Sequence, residues 1–193
     1  MNVVCFGSSI TAARGFAEKE RWPTALQSML ERWRPGEFAV YNRGIGGNTS
    51  ANLMDRFGLD VLPLLPATVI LQVGGNDCCV REWLAVSRVS LPEFRRNLKE
   101  LHRATTASAG TLVFTTYHIF RDERLTEYKA YALATREVAA ECEAPLVDLY
   151  RMMEKRGTDL DSFLGEDGIH LSPTGNIEYA EMMFEALQSI LRK

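Results

Sequence analysis

The sequence predicts a three-layer α/β/α fold, with a parallel five-stranded sheet covered by helices on both faces. Three observations lead there: five short β-branched or apolar runs, helical patterns separating them, and alternation of the two along all 193 residues. Strands separated by helices need crossover connections. These are right-handed and lay helices over both faces of a parallel sheet.

The five runs are residues 3–6, 38–41, 68–73, 112–117 and 146–149, each ending near Gly, Asn, Asp or His. The helical patterns cover residues 23–34, 49–62, 92–109, 126–142 and 173–191. Ser90 stands ahead of Pro92 and Glu93, and Ser172 directly ahead of Pro173, so two helix starts carry a capping hydroxyl and a first-turn proline. No internal repeat, low-complexity tract or Pro/Ser-rich linker divides the chain, so a single domain over 1–193 is expected.

Composition excludes several classes of function. Hydrophobic residues make up 46% and charged residues 24%, which suits a packed core rather than a disordered chain. The 22 Lys+Arg against 25 Asp+Glu leave a formal net charge of −3, so nothing marks a nucleic-acid partner. The most apolar stretch, 61–73, is interrupted by Pro63, Pro66, Thr68 and Gln72 and is shorter than the roughly 18 residues of a membrane span. Met1-Asn2 leads straight into the first strand without the basic and apolar regions of a secretory signal, so a cytoplasmic location is expected. The cysteines, Cys5, Cys78, Cys79 and Cys142, lack C-x-x-C spacing and read as reduced, mostly buried thiols rather than a metal or redox site.

Two connections exceed the usual length in α/β units: 74–91, with Cys78, Cys79, Trp83, Leu84 and Val86, and the charged 118–125. Both follow strand C-termini, where open α/β sheets bind ligands. The first strand runs into Gly7-Ser8-Ser9-Ile10-Thr11, presenting a serine just past its end. A nucleophilic serine needs a base, itself oriented by a carboxylate. Of the three histidines, His102 lies mid-helix beside Leu98 and Leu101, and His118 ends the fourth strand with Asp122 nearby. His170, in Asp167-Gly168-Ile169-His170-Leu171-Ser172-Pro173, has a carboxylate three residues before it and a glycine that eases the turn between them. Taken alone, Asp-x-x-His also fits an ordinary loop before a helix. Donors for an oxyanion are available in Asn42-Arg43-Gly44-Ile45-Gly46-Gly47-Asn48-Thr49-Ser50 and in Gly74-Gly75-Asn76-Asp77, although each equally suits a plain turn.

These four segments, in this order, resemble the sequence blocks of the SGNH hydrolases, also called the GDSL esterases and lipases, and the resemblance spans nearly the whole chain. It implies a flavodoxin-like sheet, with Ser9 as nucleophile, His170 as general base and Asp167 orienting the histidine. The implied oxyanion hole is the backbone N–H of Ser9 and of Gly47 with the side-chain amide of Asn76. Gly47 is chosen over Gly44 and Gly46 because the family's functional glycine directly precedes an Asp or Asn and then a Thr or Ser, as in Gly47-Asn48-Thr49. The first block departs from the family's Gly-Asp-Ser, with Ser8 in place of the aspartate. That removes a negative charge beside the serine, and Ser8→Asp is expected to leave the fold intact and alter activity modestly.

The implied reaction is two-step acyl transfer from a small-molecule ester to Ser9 and then to water, with no metal or cofactor. A dinucleotide fingerprint starting at Gly44 would need glycine where Thr49 stands, and an α/β-hydrolase elbow would need glycine at Thr11. Acyl transfer to an alcohol or sugar, thioester or lysophospholipid hydrolysis, and acyl-ligand binding without turnover all use the same residues. Trp83, Leu84 and Val86 are candidates for an acyl-pocket wall, and Arg121 and Arg124 for contacts to an anionic substrate; a core-packed loop and a solvated turn are the alternatives. With no wide apolar lid in the sequence, small acyl groups are expected.

Overall fold

The computed structural model describes residues 1–81, 86–121 and 127–191. In chain order the elements are β1 (Asn2–Gly7), α1 (Ser9–Ala12), α2 (Trp22–Trp33), β2 (Ala39–Gly44), α3 (Ser50–Asp60), β3 (Ala67–Gln72) and α4 (Gly75–Cys78). Then come β4 (Val80–Arg81), β5 (Val86–Ser87), α5 (Leu91–Ala107), β6 (Thr111–Thr115), α6 (Tyr128–Glu141), β7 (Leu146–Val147), α7 (Leu149–Arg156), α8 (Leu160–Phe163) and α9 (Pro173–Ile190). No helix among the described residues is long and apolar enough to cross a membrane.

The five expected strands pair in parallel in the order β2-β1-β3-β6-β7, and β4 and β5 form a separate antiparallel pair. The chain leaves β1 toward β2, then returns past β1 to β3 and continues the other way. With right-handed crossovers, that reversal puts α2 on one face and α3, α5 and α6 on the other. Packing follows the same division: α2 lies against α9, and α5 against α3 and α6. Val3, Val4, Cys5 and Phe6 of β1 are all fully buried, as expected of the central region of a sheet covered on both faces.

Helix starts follow local chemistry. Thr49 and Asn52 form a reciprocal capping box at α3, Ser90 accepts from the Glu93 N–H at 3.4 Å, and Ser172 accepts from the Gly175 N–H at 2.9 Å. Two strands end two residues earlier than the sequence pattern suggests. β6 stops at Thr115, before Thr116, Tyr117 and His118. β7 stops at Val147 because Asp148 turns to cap α7, accepting from the Arg151 N–H at 3.3 Å. Helix α7 was not anticipated, although the Asp148 cap, buried Leu149 and Met153 four apart, and left-handed Gly157 at its end all lie in the sequence. Cys5 and Cys78 are buried, and Cys79 and Cys142 are half-buried.

The register matters most at the strand ends. Gly7 stands level with Gly44 of β2 and with Gln72 of β3, so the residues after all three emerge on one rim. There β2 and α1 touch backbone to backbone: a Cβ on Gly44 would lie 2.1 Å from the Ala12 amide nitrogen. Neither backbone can give way. Gly44→Ala is therefore expected to cost about 1–3 kcal/mol, at the upper end of that range, and to displace the turn carrying Ser9. Urea unfolding of the variant beside wild type measures the first effect, and ester turnover the second.

Candidate active site

Ser9 is the first residue of the single turn α1, so its N–H has no intrahelical carbonyl to bond. The turn is fastened from beneath. The Trp22 indole N–H donates to the Ile10 carbonyl at 2.8 Å, and the Thr11 hydroxyl donates to Gln72 Oε1 at 2.7 Å. The preceding Ser8 is fully buried, and its hydroxyl is bonded to the phenol of Tyr117. The residue that departs from the family pattern thus faces the interior and is satisfied there.

His170 arrives from the far end of the chain. Its Nε2 lies 2.9 Å from Ser9 Oγ, and its Nδ1 lies 2.6 Å from Asp167 Oδ2. A carboxylate only accepts, so the Nδ1 proton faces Asp167 and the Nε2 lone pair faces the serine hydroxyl. The other Asp167 oxygen accepts from the backbone N–H of Ile169 at 2.9 Å and of His170 at 2.8 Å. Gly168 supplies the positive φ of +67° that this turn requires. Partial burial raises the Asp167 pKa, but the bonds from the His170 ring and the two backbone N–H groups outweigh it and hold the carboxyl at about 2.

The oxyanion candidates Gly47 and Asn76 lie on loops that meet at a hydrogen bond. Residues 45–48 make a turn closed by Asn48 N–H to Ile45 O at 3.3 Å, with Gly47 at φ +77° in the position that favours glycine. A Cβ on Gly46 would lie 3.9 Å from the Ser9 Cβ. Asn76 donates from Nδ2 to the Asn48 carbonyl at 2.9 Å, which orients its amide and leaves the second Nδ2 hydrogen for another acceptor.

Two further groups, which sequence reasoning missed, tie these loops together. Arg56 on α3 donates to the Gly7 carbonyl at 2.8 Å, the Asn48 side chain at 2.7 Å and the Arg43 carbonyl at 3.0 Å, with its guanidinium over the Phe6 ring at 4.5 Å. Burial lowers its pKa against the opposing pull of Asp60. Asp77, fully buried, accepts from the Ser50 N–H at 2.8 Å and the Ser50 hydroxyl at 2.5 Å. Burial nevertheless raises its pKa. No local motif announces these roles, because the bonds that define them run to other elements.

Other expectations are redistributed. His102 is half-buried on α5 with its ring against Phe114, and His118 is fully buried, so neither is presented at the rim. A cavity of about 430 Å³ opens beside Ser9 and His170, walled by Ile10, Ala12, Ala13, Phe16 and Leu171, with Arg14 also lining it. Val86, expected in such a wall, is instead 54% exposed and does not line it. Trp83, Leu84, Asp122 and Arg124 lie outside the described residues. Arg121 is ion-paired with Asp161, and its backbone N–H donates to the Gly168 carbonyl at 2.9 Å.

A carboxyl held below its unfolded value near 3.9 contributes stability above that pH and loses it as pH falls toward its folded value. Asp167→Asn is therefore expected to be less stable than wild type at neutral pH. The difference stays within about 1 kcal/mol, because both partners are half-exposed, and closes between about pH 4 and pH 2. Urea titrations of both proteins across that range read the effect.

Residues 5–176 match the family model described as the GDSL-like lipase/acylhydrolase family. The isoamyl acetate-hydrolyzing esterase 1 homolog of Bos taurus is 29% identical over 99% of this chain and 81% of that protein. Among solved structures, the lipase/acylhydrolase from Enterococcus faecalis superposes with a TM-score of 0.82 at 26% identity, covering 97% of this chain and 95% of that one. An acetylxylan esterase from Geobacillus stearothermophilus shares the fold, with a TM-score of 0.81 at 22% identity over 96% of this chain and 93% of that one.

Proposed function

Since the chain belongs to the GDSL-like lipase/acylhydrolase family and is a carboxylic ester hydrolase, we propose that it cleaves small, short-chain acyl esters through an acyl-enzyme on Ser9. The observation that carries this reading is the continuous relay from Asp167 through His170 to Ser9, at 2.6 and 2.9 Å.

In the proposed mechanism Ser9 Oγ attacks the ester carbonyl while its proton passes to His170 Nε2. Negative charge develops on the former carbonyl oxygen, and the N–H groups of Ser9 and Gly47 with the Asn76 amide receive it. Asp167 stabilises the imidazolium formed at the same moment. As the tetrahedral adduct collapses, His170 returns the proton to the departing alkoxide and the acyl group stays on Ser9. A water molecule, deprotonated by His170, then attacks the acyl carbon and frees Ser9 with the carboxylic acid product. The chain's own residues carry every step.

The relay is open to solvent, with the His170 and Asp167 side chains 48% and 50% exposed, and this favours water over a bound alcohol as the second acceptor. Acyl-group size follows from the cavity. At about 430 Å³, with mainly apolar walls, it falls near the small end of ligand pockets, which span roughly 300–1,000 Å³. The cattle relative is named for hydrolysis of an acetate ester, in keeping with a short acyl group.

The test is hydrolysis of p-nitrophenyl esters from acetate to decanoate by wild type and Ser9→Ala. Wild type is expected to favour the shortest chains, and Ser9→Ala to lose at least about 10³-fold in kcat. Undiminished turnover in Ser9→Ala would overturn the assignment, and an optimum at decanoate would overturn the acyl size. Asn76→Ala is expected to lower kcat by about 10²–10³ with KM little changed, in the same assay.

A further inference from the structure

Among the described residues, one side chain outside the relay reaches the carbonyl next to His170. His118, just beyond β6, is fully buried, and its Nε2 lies 2.7 Å from the carbonyl oxygen of Ile169, the residue between Gly168 and His170. That oxygen can only accept, so the bond fixes the proton on Nε2. Nδ1 has no partner among the described residues. The ring is enclosed by Phe120, Phe163, Tyr117 and Tyr179, with centroids 4.7 to 6.4 Å away. Three residues on, the Arg121 backbone N–H holds the Gly168 carbonyl at 2.9 Å. The segment after β6 therefore grips two successive carbonyls of the turn that joins Asp167 to His170.

The geometry points to His118 as a positioning residue that, through its Nε2–H to the Ile169 carbonyl, holds the Asp167–His170 turn in register with Ser9. This rests on the catalytic reading given above. A hydrophobic side chain would fill the aromatic enclosure equally well and leave no buried nitrogen without a partner. The residue present accepts that cost and supplies a donor directed at the base-bearing turn. Burial pushes the imidazole down to about 4, so it stays neutral at ordinary pH with a single N–H to give. His118 makes no proton transfer to substrate and acts only through His170.

Three variants separate donation from filling. His118→Gln places an amide nitrogen as many bonds from the backbone as Nε2 and can still reach Ile169. His118→Asn is polar but stops at the depth of Nδ1. His118→Phe keeps the ring and has no donor. Each is compared with wild type for thermal unfolding, for kcat and KM on p-nitrophenyl acetate, and for the rate at which a fluorophosphonate modifies Ser9, which depends on His170 but not on ester binding.

Misplacing a catalytic group by about 1 Å costs on the order of 100-fold, so folded Asn and Phe variants are expected to lose about 10- to 100-fold in kcat and in phosphonylation, with KM within about threefold. Gln is expected to recover most of the loss. Should Phe fail to fold, the Asn–Gln comparison decides. A folded Asn or Phe variant with wild-type kcat and Ser9 reactivity, or a Gln variant as impaired as Asn, would overturn the assignment. A wild-type protein inert to both ester and fluorophosphonate would instead remove the catalytic reading itself, a different and recognisable failure.

Discussion

Parallel pairing of β1 with β2 on one side and β3 on the other brings Gly7, Gly44 and Gln72 level, and the rest of the site depends on that alignment. A shift of one residue along a strand would move an attached loop by about 3.3 Å. The relay contact between Ser9 and His170 is only 2.9 Å long, so such a slip would break it. Burial enforces the register. Val3 to Phe6 are fully buried, and a slip would exchange their two packed faces. The absence of a side chain at Gly44 lets β2 press directly onto α1.

On that rim, a small number of polar ties convert strand ends into a site. Arg56 joins the carbonyl before Ser8 to the residue after Gly47, Asn76 holds the Asn48 carbonyl, and Asp77 holds Ser50. Each tie crosses between elements that share no local sequence. Burying a guanidinium or a carboxylate is costly unless its bonds are satisfied; Arg56 keeps its bonds to Gly7, Asn48 and Arg43, whereas Asp77 leaves one carboxylate oxygen without a partner among the described residues. Ser8 extends the pattern: its hydroxyl and the Tyr117 phenol satisfy each other in the interior, where a carboxylate would have had to be desolvated.

The site divides into a buried interior and an exposed edge. Tyr117, His118 and Tyr179 are buried beneath it, whereas His170 and Asp167 are half-exposed above. Such a division suits hydrolysis, because the base must be held still and yet reached by water. The cavity beside Ser9 is likewise built on one side by the α1 turn and on the other by Leu171, next to the base. Ser9, His170 and the cavity walls therefore share one support.

By itself the sequence determined what local chemistry can encode. Alternation of β-branched runs and helical patterns specified five strands in parallel, and the Ser90 and Ser172 caps marked helix starts, because these signals act within a few residues. Ser9, Gly47, Asn76, Asp167 and His170 are singled out by the family resemblance of their four segments taken together, since Asp-x-x-His and the two glycine turns are each ambiguous alone. The extent of β6 and β7 was less legible, since a cap at Asp148 overrode the apolar pattern of residues 146–149. Only the tertiary structure decided that His118 lies against Ile169, that Arg56 bridges Gly7 and Asn48, and that Phe16 rather than Val86 walls the cavity. Those contacts join residues from distant elements, and no spacing along the chain records a distance across a sheet.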